Sequence, residues 1–100
     1  MLSQVAARAF SPIRLGPVQL RNRFVKTATF EGMSPHGVPS PKLVEHHRGI
    51  AAGGAAMTTG AYCSVARHGL TFEHQLWMRR EIVEPLRDLL KTTKTPIARP

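Results

Sequence analysis

Two hydroxyl side chains flank a small residue in Thr27-Ala28-Thr29-Phe30, and this is where the sequence offers room for chemistry. There is little bulk at Ala28, so a flat ligand could approach the backbone. Gly32 follows and frees the chain to turn. Other reactive types are placed less usefully. His46 and His47 are neighbours, about 100° apart on a helix, and do not face one metal as an i, i+4 pair would. Cys63, His68 and His74 have no zinc-like spacing, so no metal site is expected. Cys63 has no recognisable basic partner and reads as a small buried hydrophobe rather than a nucleophile. His36 reads as a solvated loop residue, His46 as a surface residue and His47 as a boundary residue.

The elements that position these residues follow from spacing. Asn22-Arg23-Phe24-Val25-Lys26 runs into the threonine pair, and Phe24 and Val25 favour a pleated, buried surface. Residues 22–30 are therefore expected as a strand, and the threonines could be ordinary strand hydroxyls. Ser40-Pro41 is a helix start: serine accepts a bond from an orphan amide, and proline at the first position gives up nothing. Leu43, Val44, His47, Ile50 and Ala51 recur at helical spacing, and Gly53-Gly54 stops the helix. Residues 55–65 read as a second strand. Strand, helix and strand in succession make a βαβ unit, so residues 22–30 and 55–63 should be adjacent and parallel. Glu84-Pro85 begins a second helix near 85–92, with Leu86, Leu89 and Leu90 facing inward. Between them, residues 66–79 read as a long loop carrying Arg67, His68, His74 and Trp77. That loop is either the rim of a pocket or a surface loop anchored by Trp77. Pro12, Gly16 and Pro17 punctuate an extended, hairpin-like segment before the first strand.

Composition bounds the rest. The 100 residues suit one small domain, and 42% apolar content allows a modest core. There is no run of eighteen apolar residues, so a membrane-spanning helix is not expected. A single cysteine permits no intrachain disulfide and fits a reducing, cytoplasmic setting. The net charge is +8, and residues 1–30 hold five bases (Arg8, Arg14, Arg21, Arg23 and Lys26) and no acid. Such imbalance fits a nucleic-acid partner, an anionic surface, a transit peptide or part of a larger protein whose acids lie elsewhere. The bases are spread over loops and helices without a nucleic-acid motif, which argues against the first.

Several stretches in order resemble the old yellow enzyme family of FMN-dependent NADH:flavin oxidoreductases. They are Phe10-Ser11-Pro12-Ile13-Arg14-Leu15-Gly16, Leu20-Arg21-Asn22-Arg23-Phe24-Val25, Gly37-Val38-Pro39 and Ala52-Gly53-Gly54-Ala55. The resemblance runs from about Phe10 to Leu89. It implies an α/β fold: the N-terminal part of a (β/α)8 TIM barrel, about two βα units behind a short hairpin-like segment. A whole barrel takes about 250 residues. The implied division is an N-terminal tail at 1–9, a partial FMN-binding barrel domain at 10–90 and a disordered divergent end at 91–100.

The implied activity is hydride transfer from flavin N5 to an activated alkene or carbonyl, with NAD(P)H as reductant. The implied flavin contacts are Thr27, Ala28, Thr29, Phe30 and Tyr62. Relatives carry Thr or Cys where this chain has Phe30, which shifts the expected contact to the backbone amides of residues 28–30. They often carry a small residue at the place of Tyr62. The family's substrate-binding pair, its tyrosine proton donor and its phosphate site fall beyond the second helix. The expectation is thus a flavin-facing fragment with no catalytic residue of its own, inactive alone. Two other readings are a small basic nucleic-acid-binding module and a truncated paralogue that serves as a subunit or decoy.

Overall fold

The computed structural model describes residues 3–94. The chain opens with a short helix, α1 (Gln4–Ala9), whose first turn is capped by the Ser3 hydroxyl accepting from the Ala6 amide. An antiparallel hairpin follows, β1 (Ile13–Leu15) with β2 (Val18–Leu20), paired Ile13 to Leu20 and Leu15 to Val18. Gly16 makes the turn at φ +58°, a conformation that suits a residue without Cβ.

Next come β3 (Val25–Lys26), α2 (Pro41–Ala52) and β4 (Met57–Thr58). β3 and β4 are parallel, with Val25 opposite Met57 and Lys26 opposite Thr58. The expected βαβ unit is therefore present, with α2 as its crossover. Ser40 caps α2 by accepting from the Leu43 amide, and its own hydroxyl donates to the Met33 carbonyl. The hinge between α2 and β4 is stitched to the approach to β3. Arg21 Nη2 donates to the carbonyls of Ala51 and Ala55, at 2.7 and 3.1 Å. Asn22 Nδ2 donates to Gly54 O at 2.7 Å, and its Oδ1 accepts from the Phe24 amide at 3.0 Å. The last carbonyls of α2 thus find a cation where the helix dipole favours one.

A third pair, β5 (Cys63–Ser64) with β6 (Leu76–Trp77), is also parallel. The chain ends its described part in α3 (Val83–Lys94), which packs on α2. The buried apolar residues are Leu20 at the end of the hairpin, Leu43 and Ala51 on α2, Leu76 on β6 and Ile82 just before α3.

The structure corrects several expectations. Strand pairing within 22–30 is confined to β3; residues 27–30 are irregular and exposed, and so are Phe24 and Val25. A two-stranded sheet offers no second layer over that face among the described residues, so the burial expected from residue type does not develop. The second strand is likewise split, and Cys63-Ser64 pairs with Leu76-Trp77 rather than continuing β4. The stretch 66–79 is thus not all loop. α3 starts at Val83 and runs to Lys94, so the end set aside as disordered from residue 91 begins as helix; residues 95–100 lie outside the described residues. Leu90, expected to face inward, is 57% exposed. His47 is not a boundary residue but is buried.

Candidate functional site

The segment 27–30 leaves the end of β3, and Tyr62 lies just before β5. The structure brings the far end of the first to the second: the rings of Phe30 and Tyr62 are 5.6 Å apart between centroids and 14° from parallel. Phe72 joins them, 5.1 Å from Phe30 and 6.5 Å from Tyr62. All three are partly exposed. Phe72 was not singled out in the sequence. It reaches the site because Gln75, 4% exposed, accepts from the amides of Thr71 and Phe72 and folds the loop back.

Beside the rings a depression is lined by residues that include Phe30, Glu31, Ser34, Tyr62, His74 and Gln75. It encloses about 180 Å³ counting its open mouth. That is below the roughly 300–1,000 Å³ of small-molecule sites. Thr27, Ala28 and Thr29 sit apart from it on an exposed ledge; Thr29 Oγ1 donates weakly to Thr27 O at 3.4 Å. The amides of residues 28–30 make no hydrogen bond within the described residues. They remain available to a ligand that lies against the ledge.

Behind the ledge is a buried polar cluster that the sequence reading missed. Glu31 and His47 side chains are 6% and 5% exposed, and His47 Nε2 stands 2.6 Å from Glu31 Oε2. The other ring nitrogen, Nδ1, is 2.8 Å from Thr58 Oγ1. A neutral imidazole protonated at Nε2 suits both neighbours, with the Thr58 hydroxyl donating to Nδ1; the Nε2–Oε2 approach is close but not aligned as a hydrogen bond. Lys26 Nζ donates to Thr59 O at 3.2 Å and lies 3.5 Å from Glu31 Oε2. Glu31 Oε1 accepts from the Ala61 amide at 3.4 Å. Burial pushes the His47 pKa down, outweighing the opposing pull of the Glu31 carboxylate; Lys26 and His46 push the same way as burial. The signal was in the sequence: His47 lies on the apolar face of α2 with Leu43 and Ala51, and a buried imidazole there needs partners.

Cys63 is half-buried, and burial raises its thiol pKa, partly offset by a bond from the backbone of Met78. Among the described residues, no group of three or more metal-ligating side chains comes together. No helix there is long and apolar enough to cross a membrane.

The parallel β3–β4 pair, its crossover helix and the loops at the strand ends define a segment of an α/β barrel; no barrel closes here. No family model matches the sequence. Eighty residues are 50% identical to 4,4'-dithiodibutanoate disulfide reductase of Rhodococcus erythropolis, covering 80% of this chain and 20% of that protein. Sixty residues are 38% identical to metal reductase of Desulforamulus reducens, covering 60% of this chain and 9% of that protein. The chain therefore spans a fifth or less of the curated relatives it matches.

Among solved structures, a variant of NCR from Zymomonas mobilis superposes with a TM-score of 0.77 at 18% identity, over 88% of this chain and 29% of that one. Morphinone reductase in complex with tetrahydroNAD gives 0.75 at 17% identity, over 88% and 24%. The chain's fold is that of the N-terminal part of the TIM barrel of these structures.

Proposed function

We propose that residues 10–90 form the flavin-facing first part of an FMN-dependent oxidoreductase barrel, with residues 1–9 as a leading tail. The observation that carries this reading is the ledge at residues 27–30. Its side chains are small up to Phe30, its backbone is exposed, and the amides of 28–30 have no hydrogen-bond partner among the described residues. Free amides beside little bulk fit the edge of a flat, acceptor-rich ring. Thr27, Ala28, Thr29 and Phe30 would lie along the isoalloxazine edge, and Tyr62 would close on it from the next strand. The threonine hydroxyls are donors of the kind that tune a flavin's potential. When bound, FMN supplies hydride transfer to an activated alkene or carbonyl, with NAD(P)H as the source of electrons.

The named substrate of the Rhodococcus relative, a disulfide, widens the class of acceptor that such a barrel would serve. The chain's own part is to present the ledge and to keep water from one side of the ring with Phe30, Tyr62 and Phe72. It brings no group shown here to hold a phosphate. The depression beside the rings is too small for a whole flavin, which fits contact with the ring's edge alone.

The test is to join residues 10–89 to the remainder of the Rhodococcus reductase barrel and measure bound flavin. The joined protein should purify yellow. Ala28→Trp should strip the flavin by filling the space beside the backbone, with the circular dichroism spectrum unchanged. Undiminished flavin in that variant would place the ring elsewhere.

A further inference from the structure

The buried Glu31 carboxylate links both segments that carry the proposed flavin contacts. It directly follows Phe30, and through Oε1 it accepts from the amide of Ala61, which directly precedes Tyr62. Its second oxygen faces His47 Nε2 on α2 and Lys26 Nζ on β3. Thr58, on β4, fixes the far side of the imidazole. One side chain thus ties the end of β3, the crossover helix and the loop after β4. Burying a carboxylate is costly unless it is paired, and here Oε1 accepts from the Ala61 amide while Oε2, without an aligned hydrogen bond, is met by His47 and Lys26 at ion-pair distance.

We propose that Glu31, oriented by His47, is a positioning residue that sets the distance between the Phe30 and Tyr62 segments. Its functional meaning rests on the flavin reading above; its structural content does not. With the imidazole protonated at Nε2, the site needs two acceptor oxygens, one toward the Ala61 amide and one toward Nε2–H, and a carboxylate offers both. A glutamine keeps one acceptor, and its NH2 end is met once the imidazole moves its proton to Nδ1 and donates to the Thr58 hydroxyl; alanine removes both acceptors.

The test uses the whole chain, labelled for NMR. In the unsubstituted chain, the Ala61 amide proton should show a nuclear Overhauser effect to the Glu31 side chain, and Phe30 ring protons should show one to Tyr62. The His47 ring should report the Nε2–H tautomer. Glu31→Ala should weaken or abolish the Phe30–Tyr62 contact while the Leu43 and Ile82 methyl resonances stay in place. His47→Gln, which keeps a donor where Nε2 stood, should retain the contact; His47→Ala should lose it. Absence of the Glu31–Ala61 effect in the unsubstituted chain would overturn the proposal even if every variant failed to fold. So would an unchanged ring contact in Glu31→Ala. In the joined barrel, Glu31→Ala should weaken FMN binding roughly 2- to 10-fold, the effect of one net hydrogen bond. A joined barrel that binds no flavin while the ring contacts behave as described would sink the flavin reading and leave the positioning role standing.

Discussion

Phe30 and Tyr62 stack on each other at the ends of two successive barrel segments, 5.6 Å apart and nearly parallel. A flat ring lying between two aromatic faces needs about 3.5–4.0 Å on each side, hence roughly 7 Å between the outer rings. FMN therefore does not slide between them as they stand. It would lie along the backbone ledge, with the stacked Phe30–Tyr62 pair closing on its edge.

The Tyr62 ring then contributes by covering that edge. In the joined barrel, Tyr62→Ala should weaken FMN binding roughly 2- to 10-fold, the effect of one aromatic contact. Fluorescence quenching of FMN measures it. Binding as tight as in the unsubstituted protein would show that the tyrosine ring is no flavin contact.

His47 makes stability depend on pH. Its folded pKa is lowered from 6.5, chiefly by burial, with Glu31 opposing and Lys26 and His46 adding to the shift. Thr58 meets the other ring nitrogen. The unfolded chain thus takes up the His47 proton at a higher pH than the folded chain does. Where the unfolded state binds more protons, stability rises with pH. The contribution is complete above about pH 6.5 and is lost as pH falls from there toward the lower folded value. Urea midpoints measured between pH 7.5 and 5.5 should fall toward acid, and His47→Gln should flatten that fall. A steeper fall in the variant would contradict the assignment.

Asn22 should matter to stability more than its place outside any strand implies. It is buried and makes two hydrogen bonds, to Gly54 O and from the Phe24 amide. At 0.5–1.5 kcal/mol net for each, Asn22→Ala should cost about 1–3 kcal/mol. In a chain of this length a loss of 1 kcal/mol lowers Tm by roughly 4–8 °C. A thermal midpoint unchanged within 2 °C would show that the hinge does not need this staple.

How much of this was legible beforehand differs by element. The β3–α2–β4 unit was readable because Ser40-Pro41, the apolar spacing through Ala51 and Gly53-Gly54 all point to one helix between two strands. The β5–β6 pair was not, because each strand is two residues long and carries no periodicity. Its order depends instead on buried Ser64 and Gln75. At the site, Phe30 and Tyr62 were chosen by resemblance, and the structure brings their rings together. Their flavin role is still the proposal made above. Phe72 and Glu31 were invisible because a loop phenylalanine and a loop glutamate acquire partners only when distant segments fold back. Residue type also misled at Phe24 and Val25, where strand propensity was read as burial and no second layer covers them.

The central claim is that this stretch presents a flavin face but does not by itself hold the flavin. By resemblance, the phosphate site belongs to loops after the late barrel strands. The ledge contributes a few amides at about 0.5–1.5 kcal/mol each, against association costs of at least ~4 kcal/mol. The most direct measurement is flavin retained after gel filtration by the 100-residue chain and by the joined barrel. The account predicts no retained FMN on the chain alone and about one FMN per joined protein, lost again with Ala28→Trp. One FMN per chain on the 100 residues alone, with NAD(P)H oxidation, would contradict it.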